Sequence, residues 1–468
     1  MSKKICSTIS ELPEDLLLKI LSFLSTKHAV VTSLLSKQWR FLWTKMPRLE
    51  YDVSDHKDHT SFEQFIDKSL FLHQHHVLES LYFRLNSMVK IGPWISRVFH
   101  YHHCYLRELQ IDAGAAYTPI PHELFTCKTL VVLKLQGESI KVEGLTTVCL
   151  PSLRTLHTDH SIIFSSVPLK LLLSNCNFLT DLKIIWISGV CLFEFDVSWC
   201  KRLVALKLEG LMDVISISSS SAVCLPFLNT LHVTHIWKLN NDSFCRLLSN
   251  CPLLSDLTLE EKTSDAMLDL NIVLPCLQRL SIITKFNSST HLCSLLENCI
   301  RKLAIIAPSF KYFTIQEDMS LSILIPFYVR VRLGDPSKLE YTSVFDRIVH
   351  LEQSICDEVS QRTLVDLLRR FTKLVVLKLE NVYRLTLNVY RWDTPSFVPE
   401  CLLSSLEAIE WRRYTGKDRD KGLMSYLLNH ALCLKTVKIF SDVENKQQIV
   451  EDLASMPRGS KSCQLVFK

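Results

Sequence analysis

Eight histidines, His56, His59, His73, His75, His76, His100, His102 and His103, lie between positions 56 and 103, and Cys104 follows directly. Imidazole and thiolate are the usual ligands of zinc, so His100, His102, His103 and Cys104 have the side-chain types of a metal site. Their spacing is not that of a structural zinc motif, and no C-x-x-C occurs in the chain. A polar helix face at 70–78 and a histidine-bearing loop at 100–104 account for them without an ion, and no metal or cofactor is expected. Enzyme templates fail in the same way. There is no glycine-rich phosphate loop, no G-x-G-x-x-G, no G-x-S-x-G and no H-E-x-x-H. His122-Glu123 is followed by Leu-Phe-Thr, so the second zinc histidine is missing. No cysteine has a recognisable local base. No catalytic residue is expected, and the chain does not read as an enzyme.

Bulk properties narrow the classes further. The 468 residues are 47% hydrophobic and 22% charged with only 10 glycines, which describes folded protein rather than disorder. Fifty-three basic residues face 48 acidic ones, for a net charge of +5. Phosphate backbones need clustered positive charge, so no nucleic-acid partner is expected. The start, MSKKICSTISELPED, lacks the apolar region of a secretory signal. No stretch approaches the ~18 apolar residues of a membrane span, so no membrane partner is expected either. An intracellular location, nucleus and/or cytoplasm, follows as an expectation, and the 17 cysteines then read as reduced thiols.

The elements that would position any functional side chain are repeated. Segments of the form L-x-x-L-x-[LI], with Thr158 and Val233 at the last position of two, begin at Leu106, Leu130, Leu153, Leu179, Leu203, Leu228, Leu254 and Leu277, at intervals of 23 to 26 residues. That pitch is one of a leucine-rich solenoid, with a strand at each turn. Further matches stand at Phe310, Leu374, Leu406 and Leu434, and Leu78 marks a first turn. Cys127, Cys176, Cys200 and Cys251 each lie three residues before a leading leucine; Pro151, Pro226 and Pro275 lie two before one, and Pro308 two before Phe310. Cysteine behaves as a small buried hydrophobe, so this position reads as a core ladder. Runs at 168–176 and 242–252 are amphipathic and read as helices between strands. Between 284 and 373 the pattern blurs: 292–305 reads as helix then strand, 321–333 alternates like a strand, and helices are expected at 344–356 and 363–371.

Residues 10–43 carry three short helices with more apolar surface than so small a unit can bury. Pro13 suits a first helical position, and Glu14 and Asp15 complement the helix dipole. Leu12, Leu16, Ile20 and Leu24 form one stripe, widened by Leu17, Leu21 and Phe23. Thr26 is the expected N-cap of the second helix, and Ser36 that of a third carrying Trp39, Leu42 and Trp43. The pattern L-P-x-D-L-L-x-x-I-L-x-F-L, then L-S-K-x-W-R, closely resembles an F-box. Ser25, His28 and Gln38 depart from the usual residues of that family. At the other end, residues 399–440 and the tail EDLASMPRGSKSCQLVFK resemble the FBD region of plant F-box proteins with leucine-rich repeats. That stretch reads as a strand (406–411), a charged turn (412–421), a helix (423–429) and a strand (434–440).

The resemblance implies an α/β fold: a three-helix F-box at 9–50, a leucine-rich-repeat solenoid at 75–390 and an FBD-like unit at 395–468. It also implies a substrate-recognition subunit of an SCF-type ubiquitin ligase. Leu12, Pro13, Leu16, Ile20, Leu24 and Trp39 would bind a Skp-type adaptor, through which cullin and RING subunits join. The alternative is a scaffold or inhibitor held by the adaptor outside ubiquitination. Target binding is expected on the strand residues that alternate with the core leucines, with Lys134, His157, Lys183, Lys207 and His232 as candidates. Lys134, Lys183 and Lys207 share one strand position, a cationic stripe suited to an acidic or phosphorylated segment.

Overall fold

The middle and last leucines of L-x-x-L-x-L fall on one face only if the backbone is extended, since successive side chains then alternate. The computed structural model places them so. It describes residues 9, 12–73, 77–85, 91–102, 105–114, 117–137, 139–142, 145–159, 166–186, 200–210, 224–234, 241–261, 268–286, 300–319, 331–333, 347–355, 358–382, 394–443 and 446–468. The chain divides into two units, Met1–Leu211 and Met212–Lys468.

The first unit opens with α1 (Glu14–Leu21), α2 (Thr26–Val31) and a 3-10 turn at Leu42–Lys45. Then come β1 (Arg48–Asp52), α3 (His59–His73), β2 (Ser80–Arg84), α4 (Gly92–His102), β3 (Glu108–Asp112), β4 (Tyr117–Ile120), β5 (Val132–Gln136) and β6 (Ser139–Val142). β7 (Thr155–Asp159), α5 (Ser166–Asn175), β8 (Asp181–Trp186) and β9 (Ala205–Gly210) complete it. The strands form a parallel ladder in the order β1-β2-β3-β5-β7-β8-β9. Leu49, Leu81, Leu109, Leu133, Leu156, Leu182 and Leu206 are register partners along it, and all are buried. β4 and β6 pair separately. Gly137, just after β5, has φ +143, and a side chain there would meet the Ala113 Cβ at 2.9 Å.

The second unit runs β10 (Thr230–Thr234), α6 (Asn241–Ser249), β11 (Asp256–Glu261), β12 (Leu268–Val273), β13 (Arg279–Phe286), β14 (Ile300–Ile306), β15 (Tyr312–Met319), β16 (Val331–Leu333) and β17 (His350–Ile355). It ends with α7 (Glu358–Arg370), β18 (Val376–Asn381), α8 (Glu400–Ser404), β19 (Ala408–Arg412), α9 (Asp418–His430), β20 (Thr436–Ile439), α10 (Lys446–Ser455) and β21 (Gln464–Phe467). Its ladder is β10-β11-β13-β15-β17-β18-β19-β20-β21, again parallel. β12, β14 and β16 form a separate parallel sheet. Among the described residues no helix is long and apolar enough to cross a membrane.

The recurrent cysteine and proline positions have one cause. Leu179, Leu203 and Leu254 donate backbone N–H bonds of 3.1–3.2 Å to the carbonyls of Cys176, Cys200 and Cys251. Leu150, Leu225, Leu274 and Ala307 accept the same bond elsewhere. The turn therefore holds a small or aliphatic buried residue first. Proline, whose φ is already fixed for the next turn position, commonly follows.

Several expectations need correction. Residues 350–355 are a ladder strand, not part of a helix: Leu351 pairs with Phe313 and Leu377, and that burial outweighs the helix propensity of Leu, Glu and Gln. The strand at 300–306 belongs to the side sheet, so Phe310 follows it within a single turn of the ladder. Helices at 168–176, 242–252 and 363–371 are present as α5, α6 and α7. Residues 216–221, 287–299 and 320–330 lie outside the described residues, as do His75, His76, His103 and Cys104.

Candidate functional site

In the helical N-terminal segment two faces of α1 separate cleanly. Leu17 and Leu21 are fully buried with Ala29, Trp39, Leu42, Trp43 and Met46, and Leu12 and Leu18 pack against that cluster. Of the i, i+4 row only Leu12 turns toward that cluster; the rest is less covered. Leu16 is 47% and Leu24 37% exposed, Ile20 is half-buried and Pro13 exposed. Phe23 at 81% and Leu34 at 87% are exposed as well. Trp39, expected on the docking face, is 2% exposed and sits inside the cluster that positions α1.

Local chemistry explains the remaining departures. Thr26 lies inside α2 rather than capping it; its hydroxyl accepts the Glu50 N–H at 2.7 Å, tying the helix to β1. Ser25 holds the N-cap position, and its hydroxyl donates to Asp55 at 3.2 Å. Lys27 donates to the Asp55 carbonyl. The expected third helix is a 3-10 turn at Leu42–Lys45, tied to α1 by Lys45 and Glu14 at 2.7 Å. His73 is buried and donates through Nε2 to the Met46 carbonyl at 2.7 Å. The helical segment and the first ladder strand therefore share hydrogen bonds as well as core.

The described histidines of the 56–103 stretch do not gather. His56 packs against Phe62 and Phe65, and burial, then nearby Lys27, lowers its pKa. The His100 ring meets the Tyr101 ring edge-on, and both line a cleft of about 580 Å³ together with Asp67, Lys68, Phe71 and Arg97. Among the described residues no three His, Cys, Asp or Glu side chains come together as metal ligands do.

The strand residues alternating with the buried leucines form rows across the ladder. One row of the first unit reads Glu50, Tyr82, Gln110, Lys134, His157, Lys183, Lys207 in register. The four candidate basic residues of this unit are thus aligned on β5, β7, β8 and β9. Their charge is partly answered: His157 donates to Asp181 at 2.9 Å, and Lys207 pairs with Glu209 at 3.2 Å. Over β1–β3 the face is closed on itself, with Arg48 on Glu50 and Arg84 on Asp52. His232 lies in the second unit, where it donates to buried Glu260 at 3.1 Å.

Sequence reasoning missed a polar knot in the C-terminal region. Asp420, fully buried, accepts from Asn381 Nδ2 at 2.7 Å and from the Thr415 N–H and hydroxyl at 3.0 and 2.6 Å. Arg419 Nε donates to its other oxygen at 3.1 Å. Trp411 donates its indole N–H to Asn381 at 3.1 Å. Arg413, between them, has φ 54, and Gly416 has φ 68. The sequence signal is the charged run 412–421, which by itself reads as a plain turn. A left-handed arginine is not visible in composition.

The helical segment, the ladder and the knotted end correspond to three known regions. The F-box domain model matches residues 9–51, the Leucine Rich Repeat model residues 228–252, and the FBD model residues 394–439. An F-box/FBD/LRR-repeat protein of Arabidopsis thaliana is 65% identical over 430 residues, covering 91% of this chain and 99% of that relative. Another protein of that description from the same plant is 31% identical over 474 residues and 98% of both chains. An FBD-associated F-box protein of Arabidopsis thaliana is 30% identical over 513 residues, covering 98% of this chain and 99% of its own. With helices, leucine ladder and terminal unit all accounted for, the chain belongs to the family of F-box/FBD/LRR-repeat proteins.

Proposed function

We propose that this protein is the substrate-recognition subunit of an SCF-type ubiquitin ligase, divided as F-box (9–50), solenoid (75–390) and FBD-like unit (395–468). The F-box docks on a Skp-type adaptor through Leu12, Pro13, Leu16, Ile20 and Leu24, while Trp39 holds α1 from inside. Cullin and RING subunits join through that adaptor. The outer face of the ladder, with Lys134, His157, Lys183, Lys207 and His232, binds the target protein. The observation that carries this reading is the division of α1, whose second apolar face is left uncovered among the described residues. The subunit contributes proximity and no bond-making chemistry, which the transfer machinery supplies.

Co-expression with a Skp-type adaptor tests the docking half. Truncating hot-spot leucines costs about 2–4 kcal/mol, so Leu12→Ala with Pro13→Ala weakens association by roughly 30-fold or more. The circular dichroism spectrum of the ladder stays unchanged. Adaptor pulled down at wild-type levels by the double variant sinks the assignment. Target turnover, measured in the same cells, separates a ligase subunit from an adaptor-bound scaffold or inhibitor.

A further inference from the structure

On the solvent-facing side of the second unit the charged side chains of the later strands alternate in sign. Glu352, Lys378, Glu410 and Lys438 form a row of alternating sign on β17–β20. Arg412 pairs with Glu410 at 3.1 Å and Arg413 with Glu380 at 3.5 Å. Such a region offers little to a charged partner.

The strands before it differ. Asp256, Arg279, Tyr312 and His350 are register partners on β11, β13, β15 and β17. Asp256 takes Arg279 Nε at 2.7 Å, and the guanidinium lies 4.8 Å from the centre of the Tyr312 ring. Tyr312 is followed by His350, ring to ring at 5.7 Å. One edge of the guanidinium is thus held by Asp256 and one face by a phenol, leaving a half-exposed fork already oriented. The adjoining row on β11, β13 and β15 is Thr258, Ser281, Thr314, three half-buried hydroxyls, and it runs on to Glu352 on β17. Burial, then the charge of Lys378, lowers the His350 pKa, and Arg279 adds to this against Glu352 and Glu410. Apart from Asp256, the groups these three strands present in the two rows can all donate hydrogen bonds.

We infer that the Arg279–Tyr312 stack with its hydroxyl row is the anchor for the target, and that it takes an aspartate or glutamate carboxylate on an extended protein segment. The inference rests on the reading of the outer ladder face as the target-binding surface. A planar carboxylate fits the free fork of Arg279 in two parallel hydrogen bonds, and the neighbouring hydroxyls satisfy its remaining lone pairs. A dianionic phosphate is the poorer fit, because Asp256 already sits against the arginine. Tyrosine and arginine are also the residue types that dominate protein–protein hot spots.

The test is a selection of displayed random peptides on the full chain co-purified with its adaptor. Enriched peptides are expected to share one acidic residue, whose replacement by its amide weakens binding at least tenfold. Arg279→Gln and Tyr312→Ala are expected to cause a similar loss, whereas Lys438→Gln, on the row of alternating sign, leaves binding unchanged. Peptides lacking a shared carboxylate, a preference for phosphoserine in a matched set, equal binding to Arg279→Gln, or no enrichment at all would each overturn the anchor. Adaptor retention in the same preparation reports separately on the docking assignment. Binding lost only when Lys134, Lys183 and Lys207 are reversed to glutamate keeps the ladder reading but moves the anchor to the first unit.

Discussion

Burial has pushed the thiols of Cys176 and Cys251 up to about 12, far from the range in which a thiolate forms at neutral pH. They are packing groups that happen to contain sulfur. Under native conditions a maleimide should therefore label the exposed Cys149, Cys224 and Cys433 first and spare these two. Labelling of Cys176 at the rate of Cys433 would mean the turn opens. Cys251→Ser is expected to lower stability by about 1–3 kcal/mol by placing a hydroxyl among apolar neighbours, read as a shift in denaturant midpoint. This ladder position was legible from spacing alone, because a small hydrophobe recurring at one point of every turn is what a stacked core requires. Trp39 and Thr26 were not. Spacing shows that a side chain is apolar or can cap, but the partner that claims it, here the α1 cluster and the Glu50 N–H, comes from distant sequence.

At the scale of elements, long-range pairing decided what local pattern left open. The ladder strands with regular leucines were readable one by one, whereas β17 was not, since H-L-E-Q-S-I has no leucine repeat of its own. Its place is fixed by Phe313 on one side and Leu377 on the other. The knot around Asp420 fastens the end of β18 to the loop after β19 and the start of α9. Asp420→Ala strands the Asn381 and Thr415 donors and leaves Arg419 without its carboxylate. Breaking such a buried pair costs about 3–5 kcal/mol, and Asp420→Asn, which keeps part of the network, should cost less. Thermal unfolding of the two variants distinguishes them. Equal midpoints would show that the charge, rather than the hydrogen bonding, holds the knot.

At the scale of the first unit, the F-box ends in the first strand of the ladder: residues 9–51 match the F-box, and β1 occupies Arg48–Asp52. α2 is bonded directly to that strand through Thr26 and Glu50. No hinge of loose chain separates the docking helix from the first rung. On the proposed function, with an adaptor docked on α1, the ladder would work as a ruler whose zero mark is that contact. Adjacent strands are about 4.8 Å apart, so the six steps from β1 to β9 span roughly 29 Å along the sheet. Within this unit, rung number would then become distance from the docked adaptor, and a target's reach toward the transfer machinery would depend on which rung it grips. Removing one whole repeat between β5 and β8 should shorten the separation of spin labels at Lys19 and Lys207 by about one rung. An unchanged separation would mean that the first rung pivots. If the proposed function holds, adding or deleting a repeat would retune which lysine of a target is presented, with no change to a single contacting side chain.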